Sequence, residues 1–125
     1  MNSHSHEILD LTALKAKIAE FAKERDWEQF HTPKNLAMAL SVEASELAEI
    51  FQWLTEKQSY EIAHDEKELL KVKDELADII TYAVRLCGVL NINLPQELER
   101  KMKQNAEKYP VEKAKGVAKK YTELK

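Results

Sequence analysis

With 125 residues, of which 44% are hydrophobic and 33% charged, and with only 2 Gly and 3 Pro, the chain fits one domain of amphipathic helices and leaves little turn chemistry for a sheet. A net charge of −3 with no dense basic stripe excludes polymeric nucleic acid as the expected partner, whereas a nucleotide stays open because cations can carry phosphate charge into an acidic site. The single cysteine, Cys87, rules out an intramolecular disulfide, no apolar run approaches the roughly 20 residues of a membrane span, and the polar N-terminus lacks signal-peptide form, so a soluble cytoplasmic protein is expected.

Residues 1–9 read as a polar tail, in which His4 and His6 could bind metal only weakly. A helical domain is expected over 10–119, followed by a short tail over 120–125. The first helix should run from Asp10 to Asp26, capped by Asp10 or Thr12, with Leu11, Leu14, Ile18, Phe21 and Ala22 facing inward. The segment RDWEQFHTPKN follows. Pro33 disfavours helix at Thr32, so this is an aromatic-rich connection carrying Trp27, Phe30 and His31. Its aromatics can cap a core or stack on a flat ligand such as a nucleobase. The sequence shows His31 no partner, which makes it a poor catalytic candidate.

The second helix, Lys34 to Leu54, organises the rest. Leu36, Leu40, Leu47, Ile50 and Leu54 form one apolar stripe at helical spacing. At about 100° per residue, Glu43 projects within roughly 20° of the middle of that stripe, and Glu46 lies one turn on at its edge. A carboxylate in that place costs several kcal/mol unless something neutralises it.

Thr55 to Asp65 is polar, with no clear strand signal and an exposed His64. A third helix is expected from Glu66 to Leu90, with an apolar line of Val72, Leu76, Ile79, Ile80, Ala83, Leu86 and Leu90, Cys87 as a small core residue, and Glu75 and Asp78 on the flank. Gly88 either helps to stop this helix or permits close packing. Pro95 suits the start of a fourth helix reaching Lys108, with Leu98 and Met102 inward. On it, Lys101 and Asn105 are four apart, a spacing at which both could reach one phosphate. A short helix is expected within Val111 to Lys119. The fold class is therefore all-α, four main helices in a bundle. Stripes this broad in a chain this short leave apolar surface to cover, so a homodimer or dimer of dimers is expected.

Two acidic pairs, Glu43-x-x-Glu46 and Glu75-x-x-Asp78, allow three readings. Solvated surface acid does not explain Glu43 in mid-stripe. A di-iron site wants Glu-x-x-His, and neither helix holds a histidine. The third reading is a hard divalent cation, Mg²⁺ with Mn²⁺ as the alternative, serving phosphoanhydride cleavage by water. One of the acids, with Glu46 the first candidate and Glu43 beside it, would orient or deprotonate that water; spacing does not choose among them.

FAKERDWEQFHTPKNLAMALSVEASELAEIFQW, DELADIITYAVRL, KMKQNAEKYP and KKYTEL together resemble the MazG-type all-α nucleoside triphosphate pyrophosphohydrolases, and within them the dCTP pyrophosphatase branch. The resemblance implies hydrolysis of a deoxynucleoside triphosphate to monophosphate and pyrophosphate by attack of water at the α-phosphorus, in the service of nucleotide-pool house-cleaning. It implies Glu43, Glu46, Glu75 and Asp78 as metal ligands and Trp27 and Trp53 at the base and sugar. Tyr82, Lys101, Asn105 and Tyr109 would hold the phosphates or line the site. It also implies a homodimer or homotetramer with sites near subunit contacts. Where the branch carries a base-contacting histidine on the first helix, this chain has Ile18. A non-catalytic helical oligomer that binds a nucleotide or metal is the competing reading, and all four acids it could dispense with are present.

Overall fold

Capping side chains set the helix boundaries. The computed structural model describes residues 7–124, so His4 and His6 lie outside the described residues. Helix α1 spans Leu11–Glu24, and its N-cap Asp10 accepts from the Ala13 N–H at 3.0 Å. It ends two residues short of the expected Asp26, because Asp26 takes a left-handed φ of 55°. The Asp26 and Trp27 N–H groups then close on the carbonyls of Lys23 and Ala22, at 3.0 and 2.9 Å. This is a Schellman turn with aspartate in place of glycine.

Helix α2 spans Pro33–Phe51, with Thr32 as N-cap and Pro33 at the first helical position, where its missing N–H costs nothing. The polar stretch after it folds as a short helix, α3 (Glu56–Glu61), and a 3₁₀ turn over Ile62–His64. The physical reason is a reciprocal capping box between Thr55 and Gln58, at 3.1 and 2.9 Å, which polarity alone did not reveal. Helix α4 spans Glu66–Leu90, the expected range, capped by Asp65 and stopped by Asn91 in the left-handed region. No strand occurs among the described residues.

The described residues divide into two compact units, one up to Asn91 and one from Ile92 on. In the first, α2 and α4 form the most extensive helix pairing and α1 also packs on α4. The α2–α4 pair is antiparallel: Glu43 meets Glu75 and Asp78, while Glu49 and Ile50, farther along α2, lie beside Glu68 and Lys71 near the start of α4. The buried core is Ala22, Leu36, Ile62, Val84 and Cys87. Leu36 and Val84 are 1% exposed, so truncating Leu36 to Ala would cost about 2–5 kcal/mol.

The rest of the stripe (Leu40, Leu47 and Ile50 on α2, and Leu54 just after it) is half-buried, with half-buried Glu43 among it. On α4 the expected line is only partly inward. Leu76, Ile80 and Leu90 are 48%, 49% and 50% exposed, and the deepest positions are Val84 and Cys87. Helix lengths explain the exposure of Leu76. The 14 residues of α1 reach roughly 21 Å against roughly 37 Å for the 25 of α4. Lys15 lies beside Gly88, and Ile18 and Phe21 beside Thr81, so α1 covers the later half of α4 and stops before Leu76.

In the second unit, α5 spans Leu94–Lys108 with Asn93 as N-cap, a four-residue α6 spans Val111–Ala114, and a 3₁₀ turn spans Tyr121–Glu123. Leu98 and Met102, expected inward, are 57% and 73% exposed. The C-terminal turn is held to the end of α5 by Tyr121, which meets Tyr109 edge-on at 6.1 Å and lies under the Lys108 ammonium at 4.7 Å.

Candidate active site

The antiparallel α2–α4 seam brings the two acidic pairs to one place. Carboxylate oxygens of Glu43, Glu75 and Asp78 all lie within 4.8 Å of one another. Glu46, one turn after Glu43, adjoins both Glu43 and Glu75. A groove of about 480 Å³ opens from this point, lined by Glu46, Glu49, Ile50, Glu68, Lys71 and Glu75. Thus the quartet singled out from spacing converges, and Glu49 and Glu68 add further acid on the groove wall. Their signal was weak in the sequence because isolated glutamates on a helix are usually solvated.

The protein does not satisfy this charge itself. One oxygen each of Glu43 and Glu75 (Oε2) is cut off from solvent and has no hydrogen-bond partner among the described residues. Lys71, the nearby cation, is taken by Glu68 at 2.9 Å. The Glu43 carboxyl is pushed above the ordinary carboxylate range, first by a hydrogen bond with Glu75 that exists only while a proton lies between them, then by desolvation. The Glu46 carboxyl is pushed up by its hydrogen bond and like-charge contact with Glu43. Orphaned oxygens on converging carboxylates fit a hard divalent cation, whose oxygen ligands sit about 2.0–2.6 Å from the ion. The donor set here is oxygen alone, and it could hold such a cation.

Of the other candidate residues, those of the first unit lie on or beside α2 and α4, and the rest belong to the second unit. Tyr82, half-buried, is four residues after Asp78 on α4. Trp27 sits in the α1–α2 connection against Phe21, with ring centroids 5.8 Å apart, and is 43% exposed. Trp53 follows the other end of α2 and is 87% exposed. The two tryptophans lie beyond opposite ends of α2, whose 19 residues run roughly 28 Å. Lys101, Asn105 and Tyr109 belong to the second unit. There Lys101 bonds Gln104 at 2.8 Å, and Lys101 and Asn105 are exposed one turn apart on α5. Ile18 lines an apolar pocket of about 530 Å³ with Lys17, Glu20, Phe21, Glu24 and Thr81. His31, which had no partner in the sequence, has one in space: Arg85 donates from Nε to its Nδ1 at 3.0 Å.

The pattern that describes the MazG-like family matches residues 38–124, more than half of the chain and all four acids. The chain belongs to the MazG-like family. Among curated relatives, this MazG-like chain is 46% identical over 106 residues to dCTP pyrophosphatase 1 of Mus musculus, covering 85% of the chain and 62% of that protein. It is 43% identical over 106 residues to dCTP pyrophosphatase 1 of Homo sapiens, with the same coverage of each. The chain therefore spans about three fifths of the length of these relatives. The MazG-like fold is also that of a crystallised pyrophosphatase from Archaeoglobus fulgidus, with a TM-score of 0.75 and 38% identity, covering 85% of this chain and 97% of that one. Among the described residues no helix is long and apolar enough to cross a membrane.

Proposed function

We propose that this MazG-like chain is a Mg²⁺-dependent nucleoside triphosphate pyrophosphohydrolase that converts a deoxynucleoside triphosphate and water to the monophosphate and pyrophosphate. The observation that carries this reading is the pair of orphaned carboxylate oxygens on Glu43 and Glu75 within a three-acid cluster. The names of the relatives support a pyrophosphatase and favour dCTP or a modified dCTP as substrate. A role in clearing unwanted nucleotides follows from that substrate.

A divalent cation bound by the cluster supplies positive charge to the phosphate oxygens and makes a water easier to deprotonate. Glu43, Glu75 and Asp78 provide the ligand oxygens. Glu46, held at the rim with raised proton affinity, takes the proton of the attacking water on its carboxylate. Water oxygen bonds to the α-phosphorus, the bond from that phosphorus to the α–β bridging oxygen breaks, and pyrophosphate leaves with the electron pair. The resemblance to the family would give Lys101, Asn105 and Tyr109 the phosphate oxygens, Tyr82 a place lining the site, and the tryptophans the base and sugar.

Trp27 and Trp53 stand beyond opposite ends of α2, which favours a site shared between copies. A homodimer or homotetramer in which Trp53 serves a second copy's acids provides one. It also covers Met38, Val42, Leu76 and Ile80, all of them 48–58% exposed. The test is to incubate the protein with each dNTP and Mg²⁺ and separate the products. Monophosphate plus pyrophosphate is expected, with dCTP or a modified dCTP turned over fastest. Diphosphate plus phosphate would make it another hydrolase, and binding without turnover would make it a nucleotide-binding oligomer.

A further inference from the structure

The hydrogen bond from Arg85 to His31 is not used in the chemistry above. It joins residues 54 positions apart, both half-buried, and ties the α1–α2 connection to α4. An imidazole nitrogen that accepts a hydrogen bond carries no proton, so the ring is neutral and its proton sits on Nε2. Desolvation, and then the Arg85 charge, both lower the proton affinity of His31, which favours the same state. Among the described residues Arg85 makes no ion pair, so its charge is not there to neutralise a carboxylate.

What Arg85 holds is the loop that presents Trp27. The Trp27 ring lies 6.3 Å from that of His31, and the His31 N–H returns to the Trp27 carbonyl at 3.1 Å. The other side-chain bonds of this loop are local, Gln29 to Asp26 and Asn35 to the Phe30 carbonyl. Arg85 is also seven residues beyond Asp78, two turns along the same face of α4. The acid cluster and the loop are thereby registered on one rigid element.

We propose that Arg85 is a positioning residue that, through Nδ1 of His31, fixes Trp27 and the His31 Nε2–H as one recognition unit. That unit is an aromatic face with a single N–H donor at its side, suited to a nucleobase that presents a carbonyl oxygen or an unprotonated ring nitrogen. It rests on the nucleotide-hydrolysis reading, and the experiment separates the two. Histidine and tryptophan ¹⁵N spectra of the full chain are paired with steady-state kinetics on dCTP. Wild type shows His31 protonated on Nε2 only. In Arg85→Met the tautomers redistribute, the Trp27 indole signal moves, and KM rises about tenfold while kcat stays within about threefold. Arg85→Gln, whose amide nitrogen replaces Nε, restores all three. His31→Asn keeps the acceptor and the Trp27 signal, but loses the donor and raises KM. If Arg85→Met loses its fold, His31→Phe removes the same bond from the other side. Wild-type tautomer and KM in the variants that break the bond overturn the proposal. Should the wild-type chain hydrolyse no dNTP, the functional reading falls, and the nitrogen spectra alone decide: redistributed tautomers support the tether, unchanged ones sink it.

Discussion

Glu43 on α2 and Glu75 on α4 meet across the helix seam with one carboxylate oxygen apiece shut off from solvent and from every donor among the described residues. Two helices whose apolar faces pull them together thus carry groups that push them apart. The α2–α4 pairing is the most extensive in the chain, so packing wins and the repulsion is stored at the seam. A divalent cation held between them would relieve it.

Removing one of these acids separates stability from activity. Glu75→Gln keeps the shape of the side chain and abolishes one of the repelling charges. The metal-free variant is expected to melt a few degrees above wild type, while turnover of dCTP falls by at least about a hundredfold. Calorimetric melting with chelator, alongside pyrophosphate release, checks both. A variant that melts lower and still turns over at the wild-type rate would show that Glu75 is merely packed.

The raised proton affinities of Glu43 and Glu46 fix the sign of the pH response. A carboxyl whose folded value lies above its unfolded one is protonated longer in the folded state. The folded chain then binds more protons, and stability falls as pH rises through the raised value. Metal-free protein is therefore expected to melt higher in mildly acidic buffer than at neutral pH. Saturating Mg²⁺ reverses that slope, because the cation needs the ionised carboxylates and its affinity drops as they protonate. Melting curves across pH, with chelator and with Mg²⁺, read out both slopes, and parallel slopes would contradict the assignment.

The acid quartet was legible because Glu43 breaks an otherwise apolar stripe, where a carboxylate costs stability unless something neutralises it. The helix starts were legible to about a residue: Asp10 was a candidate cap, and Thr32, Asp65 and Asn93 cap the other three long helices. Other features depend on the third dimension. The turn at Asp26 uses aspartate where glycine is the usual signal, and α3 depends on two reciprocal bonds hidden in a polar stretch. The exposure of Leu76 follows from how far α1 reaches, which periodicity within α4 cannot report. His31 gained its partner from 54 positions away.

If the site is completed between copies, defective chains should rescue each other. Trp53→Ala removes the aromatic contributed to a neighbour, and Glu75→Gln removes a ligand of the chain's own cluster. Each variant alone is expected to be weakly active or inactive. Co-expressed, mixed dimers hold one site with both defects and one with neither, so activity returns to roughly a quarter of wild type if assembly is random. Mixed dimers purified away from both homodimers by two tags are expected to reach about half, and dCTP turnover of mixture and purified species checks both values. Absence of rescue, with mixed dimers confirmed, would place Trp53 outside the site.

Gly88 offers a stability test away from the chemistry. It lies in the last turn of α4, while the left-handed residue that ends the helix is Asn91, so glycine's conformational freedom is not needed there. A Cβ at Gly88 would meet Lys15 Cγ at 3.4 Å, ordinary van der Waals contact with a flexible side chain. Alanine also loses less backbone entropy on folding than glycine does. Gly88→Ala is therefore expected to stabilise the chain by up to about 1 kcal/mol with kcat/KM unchanged. Denaturant unfolding measures the gain; a loss would mean that α1 cannot give way at Lys15 and that the α1–α4 contact is tighter than ordinary packing.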